Sequence, residues 1–156
     1  MDHERSRNLF ESLIKMRKIG SLAPMIDGMP HGAFFMLYRI QKYLLEHEYE
    51  IETGVKVSNL SLRGHISMPA VSQMLNNLEE RQLIERHMAK DDRRVVYVNL
   101  TQKGNQVLDS IMGGFLTSLD EIVEKLGEPE TDQLIELLER FYAILKERKS
   151  NENTLG

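Results

Sequence analysis

Ser67-Met68-Pro69-Ala70-Val71-Ser72-Gln73-Met74-Leu75-Asn76-Asn77-Leu78-Glu79 is the stretch whose reading decides the fold. Val71, Met74, Leu75 and Leu78 recur at helical spacing, which makes one side of this helix core. Ser67 is a good N-cap, and Pro69 falls in the first turn, where its missing N–H leaves no intrahelical bond unmade. The opposite side carries Pro69, Ala70, Ser72, Gln73, Asn76 and Asn77. These are small or amide side chains, able to approach and hydrogen-bond the base edges of a DNA major groove.

The flanks give that helix a context. Upstream, Ser58 caps a brief helix through Leu62, and Arg63-Gly64-His65-Ile66-Ser67 forms the turn between the two. Gly64 lies close to a position that needs positive φ, which His65 also tolerates; His65 reads as a turn residue before it reads as a phosphate contact or ligand sensor. Val55-Lys56-Val57 is long enough only for a short strand. Downstream, Leu83 to Met88 and Arg94 to Leu100 have β-branched, partly alternating character around Ala89-Lys90-Asp91-Asp92-Arg93, which is a hairpin. Its tip and shoulders carry Arg86, Lys90, Arg93 and Arg94, where a minor groove admits guanidinium groups. Helix, turn, helix and ribbon in this order make a winged helix-turn-helix over residues 55–100.

Charge is distributed to suit. The chain has net charge −4, too acidic for a protein that coats nucleic acid at large. Residues 1–52 carry 7 basic and 8 acidic groups, residues 53–100 carry 7 and 5, and residues 101–156 carry 6 and 11. No acidic residue occurs from Thr53 to Leu78, so the reading surface has little to repel phosphate.

Ser58 to Gly104 resembles the DNA-binding module of the MarR family of bacterial transcription regulators. The similarity rests on Leu60, Ile66-Ser67, Ala70-Val71-Ser72, the run Leu78-Glu79-Glu80-Arg81-Gln82-Leu83-Ile84-Glu85-Arg86, Asp92-Arg93-Arg94, and Leu100-Thr101-Gln102-Lys103-Gly104. It implies that Arg94 enters the minor groove and that Asp92, two residues earlier, supports the wing. Two departures concern local turns: Gln82 stands where the family often has glycine, and Gly64-His65 reverses the usual apolar-then-glycine order.

Outside the module the chain reads as helix. Glu4 to Ile19 is amphipathic through Leu9, Phe10, Leu13, Ile14 and Met16; Ser21 to Gly32 is loop; Ala33 to Glu48 resumes helical spacing; and Glu46 to Gly54 turns. Gln102 to Leu126 is a helix of about 37 Å, with a bend or close helix contact expected at Gly113-Gly114. A last helix starts at Pro129, and its Leu134 to Leu145 segment is too broadly apolar for a monomer's surface. The expected architecture is mainly α with a small β-wing in one compact domain. Residues 1–54 are N-terminal scaffold and dimerisation helices, 101–150 C-terminal dimerisation helices, and 151–156 a flexible tail. The resemblance implies that first and last helices of two subunits interlock, with the long helix joining the dimer region to the DNA-binding lobes; two-fold symmetry then asks for a pseudo-palindromic site with half-sites about 34 Å apart.

Met16, Phe34, Phe35 and Met36 are candidates to line a pocket for a small effector, which the resemblance implies, although such residues are more often core. The chain has no cysteine, which excludes disulfides and thiol-based sensing. Its 5 histidines, His3, His31, His47, His65 and His87, lack metal-ligand spacing, so no metal or cofactor is assigned. No apolar run is long enough to span a membrane and no signal peptide is present, so a soluble, cytoplasmic protein is expected. No phosphate loop, nucleophile elbow or paired acid/base spacing suggests an enzyme. The leading expectation is a homodimeric regulator binding double-stranded DNA in a sequence-specific way, as a repressor; the alternative is a winged-helix protein-interaction module without specific DNA binding.

Overall fold

The computed structural model describes residues 3–18, 24–30, 32–47, 53–64 and 66–154. His65 lies outside them, as do parts of the two segments read as loop and turn before residue 54. In chain order the elements are α1 (Glu4–Lys18), α2 (Gly32–Glu46), β1 (Val55–Lys56), α3 (Val57–Gly64), α4 (Met68–Glu80), β2 (Ile84–Met88), β3 (Val96–Leu100), α5 (Gln102–Leu126) and α6 (Glu128–Thr154). Mainly α with a small β-wing is what the sequence suggests. Element bounds differ by a few residues: α3 begins at Val57 and runs to Gly64, the wing's second strand begins at Val96, and α6 continues through Thr154 into the segment read as a tail.

The chain forms two compact units, residues 1–113 and 114–156, where the sequence suggests one domain. In the first, α2 supplies the central stripe. Ala33, Phe34, Met36, Leu37, Ile40 and Tyr43 are buried, together with Leu60 of α3, Val71, Leu75 and Leu78 of α4, and Leu108 of α5. The sheet has the order β1-β3-β2, antiparallel throughout, and adds Val55, Ile84 and Val98 to the same core. Val55 pairs with Val98, while β2 and β3 run from Ile84 opposite Leu100 to Met88 opposite Val96. Arg39 of α2 donates to the Leu60 carbonyl of α3 at 2.6 Å, which ties the two helices by a polar bond as well.

Two junctions position the wing. Helix α4 ends with the Leu83 N–H bonded to the Leu78 carbonyl at 2.9 Å and the Gln82 N–H to Glu79 at 2.8 Å, the paired closure of a Schellman motif. Gln82 sits at its left-handed position with φ 61°. At the other end of the hairpin, Thr101 accepts from the Gly104 N–H at 2.9 Å, capping α5, and donates its own hydroxyl hydrogen to the Gln82 carbonyl at 2.7 Å. Gly104 is required sterically, because a Cβ there would lie 1.9 Å from the Leu83 carbonyl oxygen.

The second unit holds the rest of α5 and all of α6. Gly127, with φ 97°, turns the chain between them, and Pro129 falls in the first turn of α6. Helix α5 runs without interruption through Gly113-Gly114, and a Cβ at either glycine would meet nothing within 4 Å among the described residues. No helix among the described residues is long and apolar enough to cross a membrane.

Candidate nucleic-acid interface

The reading helix has the two faces its sequence calls for. Val71, Leu75 and Leu78 are fully buried, whereas Ser67, Met68, Pro69, Ser72, Gln73 and Asn76 are exposed and Ala70 and Asn77 half-buried. Ser67 has extended backbone and accepts from the Ala70 N–H at 3.4 Å, fulfilling the cap role. Met68 adds a feature that polar patterning misses. Its side chain, 43% exposed, stands at the entry of α4, where a flexible thioether suits a thymine methyl. The signal was there in the sequence, since Met68 falls outside the buried spacing of Val71, Met74, Leu75 and Leu78.

At the wing tip the Ala89 N–H bonds to the Val95 carbonyl and the Val95 N–H to the Asp92 carbonyl, each at 2.9 Å. Asp92 accepts from the backbone N–H of Arg94 at 3.0 Å and from its Nε and Nη2 at 3.1 and 3.3 Å. The guanidinium and the Arg94 N–H, with Lys56 nearby, hold the Asp92 carboxyl below its usual value. Lys90 and Arg93 are exposed beside this pair, and the Arg94 side chain is 91% exposed. The tip is therefore a small basic prong with one internally braced arginine.

Arg86 occupies a different place from the other basic residues. From the middle of β2 its guanidinium reaches back to α4, where Nε donates to Glu79 Oε2 at 2.9 Å and Nη2 bonds both that oxygen and Asn76 Oδ1, the latter at 2.8 Å. Spacing within each element does not reveal this triad, because β2 meets α4 only through the fold. Arg81, just past α4, donates to the carbonyls of Asp27 and Gly28, both at 2.8 Å, and so anchors the loop before α2.

The four residues suggested for an effector pocket do not share a surface. Phe34 and Met36 are 3% and 1% exposed and belong to the core, while Phe35 and Met16 point outward at 45% and 58%. Helical geometry explains this, since consecutive residues 34, 35 and 36 face different directions.

Comparison with known proteins agrees with this geometry. Residues 34–111, half of the 156-residue chain, match the family model for the transcriptional regulators SarA and Rot. The chain is 30% identical over 71 residues to the HTH-type transcriptional regulator MhqR of Bacillus subtilis, a match that covers 46% of this chain and about half, 49%, of MhqR. Among solved structures, Staphylococcus aureus MarR in complex with salicylate and kanamycin aligns with TM-score 0.73 at 20% identity, over 91% of this chain and 93% of that one. Streptococcus pneumoniae FabT in complex with DNA aligns with TM-score 0.63 at 20% identity, over 94% and 99%. The exposed polar face of α4 and the braced basic wing both lie within the span of the family match: the chain belongs to the SarA/Rot family of DNA-binding transcriptional regulators, built on the MarR-like winged helix.

Proposed function

We propose that the protein is a homodimeric, sequence-specific repressor acting in the cytoplasm. The observation that carries the reading is that one unit bears both the exposed polar face of α4 and the exposed Lys90, Arg93 and Arg94 prong. Pro69, Ala70, Ser72, Gln73 and Asn76 then meet base edges, with Ser67 and Asn77 at the margins of the face; Lys90 and Arg93 meet phosphate, and Arg94 enters the minor groove with Asp92 bracing it. Dimerisation is supported by the exposed apolar side chains of α6, among them Leu137 at 58%, Tyr142 at 67% and Ile144 at 61%, and by those of α1, with Phe10 at 62%. A dimer seated across a promoter blocks polymerase sterically, which makes repression the simplest outcome.

Release by a small molecule is part of the same reading. A cleft of about 300 Å³, formed by Ile26, Arg81, Leu83, Lys103 and Val107, has an apolar wall, because the Arg81 and Lys103 cations are bonded to backbone carbonyls, and suits a small apolar organic molecule. The S. aureus MarR neighbour was solved with salicylate. The functional test is transcription in vitro from a promoter carrying the protein's selected site. Repression that requires that site supports the reading. Unchanged or increased transcript with the site occupied contradicts repression, and absence of any preferred site favours an interaction module instead.

A further inference from the structure

Asn76 and Arg86 point to a specificity device inside the reading helix, one that rests on α4 being the DNA reader. A guanidinium has only donors, so the end of the Asn76 amide that faces it is Oδ1, as the 2.8 Å bond from Arg86 Nη2 shows. The amide is planar, and fixing its oxygen turns Nδ2 to the opposite side, where it has no partner among the described residues while Asn76 itself is exposed. Arg86 is fixed in turn by Glu79 Oε2, which takes both Nε and Nη2 and offsets the cation's charge. A side chain that is only 28% exposed and already paired with a carboxylate has little left for phosphate.

We propose that Arg86 is a positioning residue: it presents Asn76 to DNA as a donor, so that Asn76 selects guanine, whose N7 and O6 are adjacent acceptors. A free asparagine amide favours adenine instead, accepting from N6 through Oδ1 and donating to N7. Here Oδ1 is engaged by a charged donor, and the NH2 group leads. Glu79 holds the arginine, the arginine holds the amide, and the amide reads the base.

The test compares wild type, Asn76→Ala, Arg86→Gln, Arg86→Lys and the Asn76→Ala/Arg86→Gln double variant on selected duplexes, with thermal melts confirming that each is folded. The base pair whose preference disappears in Asn76→Ala identifies the one that Asn76 reads. Wild type is expected to prefer guanine there by about tenfold, within the range of a well-made base contact. Arg86→Gln is expected to cut that preference to below about threefold without changing the slope of log affinity against log salt. Arg86→Lys, which keeps the charge beside Glu79 but lacks the planar fork that spans both partners, is expected to relax the same base pair. The double variant is expected to match Asn76→Ala. Adenine at that position, additive effects of the two substitutions, or a uniform loss of affinity with a shallower salt slope in Arg86→Gln would each overturn the proposal.

A readout without DNA separates this from the function itself. The Asn76 side-chain amide should be rigid by 15N relaxation in wild type and mobile in Arg86→Gln; equal mobility in both overturns the positioning role. A rigid amide in a protein that selects no DNA site would instead overturn the reading of α4, and the assignment of guanine with it.

Discussion

Arg94 and Asp92 show how one residue's role depends on the next. The Arg94 side chain is 91% exposed, yet Asp92 limits the directions it samples by accepting from its backbone N–H and from its guanidinium. On the proposed function, less conformational freedom is then lost when the arginine enters a groove. Arg94→Ala should lower affinity for every duplex by at least about tenfold, roughly 1.4 kcal/mol, and leave oligomeric state unchanged; anisotropy titration and sedimentation check the two parts. The Asp92 brace also has a pH signature. Because Arg94 lowers the folded-state pKa of this carboxyl, its contribution is complete above the ordinary carboxylate range and is lost only as pH falls through the depressed value. Wing order, followed by NMR of the Arg94 amide, should therefore be constant from about pH 8 to about pH 5 and decline only in stronger acid. Both residues were legible in the sequence through the Asp92-Arg93-Arg94 pattern. The position of Arg86 was not, because its partners Glu79 and Asn76 are brought to it by the packing of β2 on α4 and not by any local spacing.

Helix α4 was the most legible element. The buried spacing of Val71, Leu75 and Leu78, the Ser67 cap and the first-turn proline all agree, so local propensity and tertiary burial select the same helix. The effector reading fared differently: Phe34, Phe35 and Met36 are neighbours in sequence, but on α2 they divide between core and surface. The departure at Gln82 has a physical consequence. A non-glycine residue at φ 61° carries a strain that glycine lacks, and the Schellman bonds around it, Gln82 N–H to Glu79 and Leu83 N–H to Leu78, are made by the backbone alone. Gln82→Gly should thus stabilise the protein by about 1 kcal/mol and raise the thermal midpoint by about 2 to 4 °C at fixed protein concentration. An unchanged or lower midpoint would show that the Gln82 side chain supplies compensating contacts. The Thr101 cap and Gly104 explain why Leu100-Thr101-Gln102-Lys103-Gly104 reads as a unit: one residue closes the helix start onto Gln82, and the other leaves room for the Leu83 carbonyl.

At the scale of the whole molecule, the second unit leaves large apolar side chains such as Leu134, Leu138 and Leu145 between 46% and 52% exposed, and clustered exposed apolar residues mark interaction surfaces. The excess was visible in the sequence of α6. Which surfaces meet was not, because a helix that is apolar on several sides does not specify its partner. In the proposed dimer Leu138→Glu places a charge in the subunit interface, and it should shift the protein toward monomer at micromolar concentration, as light scattering would record. DNA affinity should fall with it, since in the proposed dimer two lobes bind two half-sites together. The central claim is sequence-specific recognition by α4 and the wing. Selection of bound duplexes from random DNA, followed by titration of the best site against a scrambled one at two salt concentrations, tests it most directly. The account predicts a pseudo-palindrome with half-sites about 34 Å apart, bound at least ~10³-fold more tightly than the scrambled duplex. Equal affinity for every duplex that collapses as salt rises, or no binding at all, would contradict it.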